Sequence, residues 1–143
     1  MGVSIVQPIA FISGASGGIG QAIATTLAKA GISIAVGYFS GTQAAKQVVA
    51  DCRRIGVSAT AIHCDVRLKQ SVENAYKQVV KQLGVPTILI HAAGVSQFGL
   101  FQDTTAEQYD QLMDVHVRGA FHLIKTGLPA LIRQKNGRII LIS

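Results

Sequence analysis

The chain has 143 residues, of which 49% are hydrophobic and 14% charged, a balance that excludes a disordered polymer and suits one domain with a real core. Its net charge of +6 comes from basic residues scattered along the chain, with no dense run and no interleaved aromatics, which argues against nucleic-acid binding. No apolar run reaches the roughly 18 residues of a membrane span, and the first residues lack the basic stretch and apolar core of a secretory signal. Cys52 and Cys64 have no metal-like spacing, so no metal site is expected; they read as reduced, packed thiols, which suits the cytoplasm.

In chain order, the apolar run over 9–12 reads as a buried strand. It runs into Ser13-Gly14-Ala15-Ser16-Gly17-Gly18-Ile19-Gly20, a glycine-rich turn that opens a helix. Glycines let a backbone approach a ligand closely, and the first free N–H groups of a helix favour an anion. The alternative is a tight turn with no ligand. The helix shows Ile19, Ile23, Leu27 and Ala30 on one stripe and stops at Gly31. A second strand is expected over 32–37. Ser40-Gly41-Thr42-Gln43 has the form of a capping box, and the helix after it puts Ala45, Val48, Val49 and Cys52 on one face. A third strand over 57–64 ends at Asp65-Val66. Val72, Ala75, Tyr76, Val79, Val80 and Leu83 then mark a helix closed by Gly84, with Tyr76 read as core. A fourth strand over 87–91 leads into a loop over 92–103. Thr104-Thr105-Ala106-Glu107 resembles another capping box, and a long helical segment follows to about Lys135, with a kink expected at Gly127 and Pro129. The fifth strand covers 138–143.

Alternating strands and helices predict an α/β fold: a doubly wound, Rossmann-like parallel sheet of order 3-2-1-4-5. The chain reads as one domain over 1–143, without repeat or linker. In such sheets a ligand sits at the carboxyl ends of the strands. The glycine turn, Phe39-Ser40, Asp65-Val66 and His91-Ala92-Ala93-Gly94 all belong at that edge, which predicts one crevice. A binder of unphosphorylated ribose places a carboxylate just after the second strand. Gly37-Tyr38-Phe39-Ser40 has none, which favours NADP(H) over NAD(H). The arginine or lysine that a 2′-phosphate attracts is missing from that place and from the glycine turn, leaving Ser40 and backbone N–H groups to hold it.

Gly14, Gly18 and Gly20, with Ser13 ahead, resemble the Thr-Gly-x-x-x-Gly-x-Gly turn of the short-chain dehydrogenase/reductase family, and the resemblance runs through the chain. It implies cofactor contacts at Gly14, Ala15, Ser16, Gly17, Gly18, Ile19 and Gly20, at Phe39 and Ser40, at Asp65 and Val66 beside the adenine, and at Ala92, Ala93 and Gly94. His91-Ala92-Ala93-Gly94 stands where the family has Asn-Asn-Ala-Gly. Asp114-Val115-His116-Val117 resembles the segment with the family's catalytic asparagine, so His116 stands in for a residue that holds a proton-relaying water. Ser143 falls one residue before the expected catalytic serine. The Tyr-x-x-x-Lys pair is absent: four residues after Tyr38, Tyr76 and Tyr109 stand Thr42, Val80 and Met113.

These departures, with Ser96 and Gly99-Leu100 after the fourth strand, resemble one branch of the family, which includes the reductase that trims an aminopentanone modification on elongation factor P and is close to the 3-oxoacyl carrier-protein reductases. The resemblance implies NADPH-dependent reduction of a carbonyl on a small molecule or carrier protein, by a homo-oligomer when full length. Phe98, Leu100 and Phe101 would line one wall of the substrate pocket or pack the loop. The chain itself is expected to stop after the fifth strand of the family fold, to be catalytically incomplete, and to expose residues 139–142 as an apolar edge. Alternatives are a non-catalytic NADP(H)-binding module or half of a split enzyme, a methyltransferase-like fold, and a structural partner using the long helix.

Overall fold

The computed structural model describes residues 7–143. Residues 1–6, which bear on the expected absence of a secretory signal, lie outside the described residues. Five parallel strands, β1 (Ile9–Ser13), β2 (Ser33–Tyr38), β3 (Ala59–His63), β4 (Ile88–His91) and β5 (Arg138–Leu141), form one sheet in the order β3-β2-β1-β4-β5. Each is joined to the next through helix: α1 (Gly18–Lys29), α2 (Thr42–Ile55), α3 (Lys69–Gln82), and between β4 and β5 a longer passage of α4 (Ala106–Met113) and α5 (Gly119–Gln134). The expected sheet and its order are therefore present.

Side chains alternate across a strand, so the sheet feeds two cores. Ile12, Ile34, Val36 and Ile90 meet Ala24 and Ala28 of α1 and Val48 and Cys52 of α2 on one face. Phe11, Ala35 and Leu89 meet Val72 and Val79 of α3 and Leu123 of α5 on the other. Strands covered on both faces read as unbroken apolar runs, and β1 is buried at all five positions. A fully buried side chain such as Phe11 or Ile12 stabilises the fold by roughly 1.5–3 kcal/mol.

Several local expectations are corrected. The buried stripe of α1 is Gly20, Ala24 and Ala28, with Ile23 and Leu27 only partly covered and Ile19 64% exposed. The helix lies so close to the glycine turn that a Cβ on Gly20 would stand 2.3 Å from the Gly14 carbonyl oxygen, so no side chain fits at that position. α2 starts from Gly41 without a side-chain cap, so the Ser40 box does not form. The box before α4 is one residue later than expected: Gln108 N–H donates to Thr105 Oγ1 at 3.2 Å, and Thr105 N–H donates to Gln108 Oε1 at 2.9 Å. β3 is shorter than 57–64.

The long helical segment does not break at Gly127 or Pro129, both of which lie inside α5. The irregularity comes earlier, at a single π-helical turn over Asp114–Arg118 closed by Gly119 N–H on the Asp114 carbonyl. Gly127 serves packing instead: a Cβ there would stand 2.5 Å from Leu89 Cδ1. β5 lies at one sheet edge, with Ile139, Ile140 and Leu141 between 40% and 51% exposed.

Candidate functional site

The strands end level at their carboxyl edge. Ser13 pairs with His91, His91 with Leu141, and Tyr38 with His63. The loops leaving those ends enclose a cavity of about 270 Å³. Gly14, Ser16 and Gly17 form the wall after β1, Phe39 and Ser40 the wall after β2, Cys64 to Arg67 the wall after β3, and Ala92 to Val95 the wall after β4. Gln111 of α4 and Val115 of the π turn close it. The expected convergence of four strand ends is present. Ala15, Gly18, Ile19 and Gly20 are not on the wall. Ala15 is buried, its N–H donating to the Gly37 carbonyl at 2.9 Å, Gly20 packs behind Gly14, and Gly18 and Ile19 form the exposed first turn of α1.

The glycine turn is built by close approach. Gly14 has φ +70°, and a Cβ on it would stand 2.5 Å from both Ala93 N and Ala93 Cα. The turn after β1 thus touches the loop after β4. Gly17 caps α1 with extended backbone and offers no side chain to its first N–H groups, so the positive end of the helix dipole is left to water or an anion.

A buried histidine ties this floor together. His91 is 2% exposed. Its Nε2 lies 3.1 Å from the Val115 carbonyl and its Nδ1 2.9 Å from Ser13 Oγ. A carbonyl only accepts, so Nε2 carries the proton and donates, while Nδ1 accepts from the serine hydroxyl. Burial pushes its pKa below the ordinary 6.5, against the pull of the Val115 carbonyl. β1, β4 and the π turn are joined through this one ring.

His116, on the same turn, reaches the loop after β4. Its Nε2 lies 2.8 Å from the Val95 carbonyl and 3.2 Å from the Val95 nitrogen. The ring packs on Gly94, where a Cβ would stand 2.8 Å from His116 Cε1. An asparagine amide has both a donor and an acceptor for such a pair. One imidazole nitrogen serves only one at a time, so the tautomer decides which backbone group is held.

On the opposite wall, Arg67 donates from Nε to Asp65 Oδ1 at 2.9 Å and from Nη2 to Oδ2 at 2.7 Å, and its backbone N–H donates to Oδ1 at 3.1 Å. Hydrogen bonding from Arg67 holds the Asp65 carboxyl below the usual carboxylate range, although its burial opposes this. The Arg67 guanidinium carbon lies 4.9 Å from the centre of the Phe39 ring. Behind it, His122 Nδ1 donates to the Val66 carbonyl at 2.9 Å. The Cys64 thiol is pushed up to about 12, chiefly by burial and then by the Asp65 charge, so it is no nucleophile near neutral pH. Cys52 is also free and buried.

The short chain dehydrogenase family matches residues 8–143. The chain belongs to that family. Among curated short-chain dehydrogenases it is 34% identical over 134 residues to the 3-oxoacyl-[acyl-carrier-protein] reductase FabG of Staphylococcus aureus, covering 94% of this chain and 54% of the reductase. A dehydrogenase/reductase from Sinorhizobium meliloti superposes with a TM-score of 0.87 at 33% identity, covering 98% of this chain and 55% of that one. NAD⁺-bound xylitol dehydrogenase gives 0.89 at 30% identity, covering 96% and 54%. The chain thus spans about half the length of the curated relatives it matches.

Arg67 is not marked by the sequence, because the expected places for a cation are the glycine turn and the end of β2. A signal existed: β3 lies beside β2, so a residue two past Asp65 can reach Phe39. Val95 and Gln111 carried no signal. Ser143 follows β5 at the same edge, exposed and off the cavity wall. Among the described residues no cluster has the make-up of a metal site, and no helix is long and apolar enough to cross a membrane.

Proposed function

We propose that the cavity binds a nicotinamide dinucleotide, NADPH in preference to NADH, and that the protein serves carbonyl reduction. The observation that carries this is the meeting of four strand ends around one cavity whose β1 wall is an uncapped helix N-terminus. The fit is chemical as well as spatial. Gly14 and Gly17 leave room for backbone contact with a pyrophosphate, and the first N–H groups of α1 face negative charge. Asp65 and Val66 would flank the adenine, with Phe39 and Ser40 beside its ribose; all four line the cavity. Ala92, Ala93 and Gly94 would flank the nicotinamide half.

When bound, the cofactor would supply a hydride to a carbonyl carbon. Kinship with a 3-oxoacyl-[acyl-carrier-protein] reductase supports a 3-oxoacyl group as the substrate, free or on a carrier protein; a related aminoketone is the alternative carbonyl. His116 would hold the loop after β4 through Val95 and pass a proton by exchanging tautomers. Protonating the developing alkoxide requires an acid, and Tyr-x-x-x-Lys does not occur in the 143 residues. These residues alone would therefore bind the dinucleotide without turning a ketone over, which is also the behaviour of a binding module.

Titration with NADPH and NADH, followed by nicotinamide fluorescence, tests the binding, and an acetoacetyl thioester with NADPH tests turnover. Saturable NADPH binding without turnover is expected. Absence of binding to either dinucleotide refutes the proposal for the cavity. Ketone turnover by these residues that is lost on Ser143→Ala would refute the expected lack of turnover.

A further inference from the structure

We infer that Arg67 reads the 2′-phosphate of the dinucleotide and so sets the cofactor preference; this rests on the binding proposed above. Two nicotinamide dinucleotides differ at one ribose hydroxyl. A protein distinguishes them with a carboxylate for the diol or a guanidinium for the phosphate, placed beside the end of β2. That place is Phe39 and Ser40, which supply neither. The sheet order brings the loop after β3 alongside it: Tyr38 pairs with His63, and the Phe39 and His63 rings lie 5.8 Å apart. From that loop Arg67 lays its guanidinium on Phe39.

Among the residues lining the cavity, Arg67 is the one lysine or arginine and Asp65 the one carboxylate. Their pairing settles which of them is available. Asp65 is 10% exposed and its two oxygens accept three hydrogen bonds from Arg67, so it is already engaged and poorly placed to take a ribose diol. Arg67 is 39% exposed and commits only Nε and Nη2. Nη1 donates no hydrogen bond among the described residues. Asp65 on one edge and Phe39 under one face hold the fork in place, while its remaining donors stay open to an incoming anion. A guanidinium fixed in this way binds phosphate with less loss of rotamer freedom than a free lysine. Ser40, on the same wall, adds a hydroxyl. The carboxylate therefore orients the cation instead of competing for the ribose.

The test is calorimetric titration of the protein with 2′,5′-ADP and with 5′-AMP. These fragments share the adenosine and the 5′-phosphate and differ in the 2′-phosphate. The unsubstituted protein is expected to bind 2′,5′-ADP about tenfold tighter or more, the scale of one charge-assisted contact. Arg67→Gln should bring the two within about twofold while leaving 5′-AMP affinity in place, and Arg67→Lys should keep part of the preference because the charge remains without the fork. Raising the salt concentration should narrow the preference of the unsubstituted protein. An unchanged ratio in Arg67→Gln refutes the inference. So does a parallel loss for both fragments, which would mean that Arg67 only supports Asp65 and Phe39. Equal binding of both fragments by the unsubstituted protein refutes it while leaving the dinucleotide proposal standing, and binding of neither overturns both.

Discussion

Replacing Gly14 by alanine tests how closely the turn after β1 meets the loop after β4. Two costs arise. At φ +70° an alanine sits in the left-handed region, at about 1–2 kcal/mol, of which roughly 0.4–1 kcal/mol is returned by a stiffer unfolded chain. The new Cβ would also stand 2.5 Å from Ala93 N and Cα and 2.8 Å from Ala92 C. These are backbone atoms, so relief requires the loop to move, and overpacking of that kind costs about 1–3 kcal/mol. Gly31 provides the control. It has φ +82°, and a Cβ on it would meet nothing within 4 Å, so Gly31→Ala carries the first cost alone. In urea unfolding followed by circular dichroism, Gly14→Ala should lose about 2–4 kcal/mol and Gly31→Ala about 1 kcal/mol or less. The larger loss is a substantial part of a domain's usual stability of roughly 5–15 kcal/mol. Gly14→Ala should also weaken NADPH binding, because Ala92 and Ala93 form the cavity wall that must shift. Equal losses in the two variants would refute the close approach on which the description of the cavity floor depends.

His91 predicts a pH dependence. Its folded pKa lies below the ordinary 6.5, so the unfolded chain takes up its proton first. Its contribution to stability is complete above about pH 6.5 and falls as the pH drops from there towards the folded value. Urea midpoints measured between about pH 5 and 8 should slope less in His91→Asn than in the unsubstituted protein; equal slopes would refute the assignment. His91→Leu leaves the Ser13 hydroxyl and the Val115 carbonyl unpaired and should cost on the order of 2–4 kcal/mol at neutral pH. Tyr76 carries a buried hydroxyl with no hydrogen-bond partner among the described residues. Tyr76→Phe should therefore be neutral or stabilising by up to about 1 kcal/mol, and a loss larger than that in the same assay would mean the hydroxyl is bonded.

Much of the cavity was legible because the signals were local. A glycine turn after a buried strand, and the end of each later apolar run, mark loop ends whatever their distance in space. Parallel strands with right-handed crossovers then bring those ends to one edge. Arg67 was hidden because its relation to Phe39 crosses from β3 to β2, 28 positions earlier by residue number. The role of His91 was hidden for the same reason, since Ser13 and Val115 lie far from it in sequence. Residue type pointed to a kink at Gly127 and Pro129, whereas the π turn formed at Asp114–Arg118, where the helix meets the His91 ring and the loop after β4.

By itself the sequence determined the order and type of the elements, the five parallel strands and the edge at which their loops enclose a cavity. Apolar periodicity and glycine placement act over a few residues and need no partner to be read. Only the tertiary structure decided which face of α1 is buried, where the long helical segment loosens, and which side chains share a wall. Those outcomes depend on tertiary packing: the Gly14 carbonyl leaves no room for a side chain at position 20, and Asp65 and Phe39 together fix a cation that no local pattern marks.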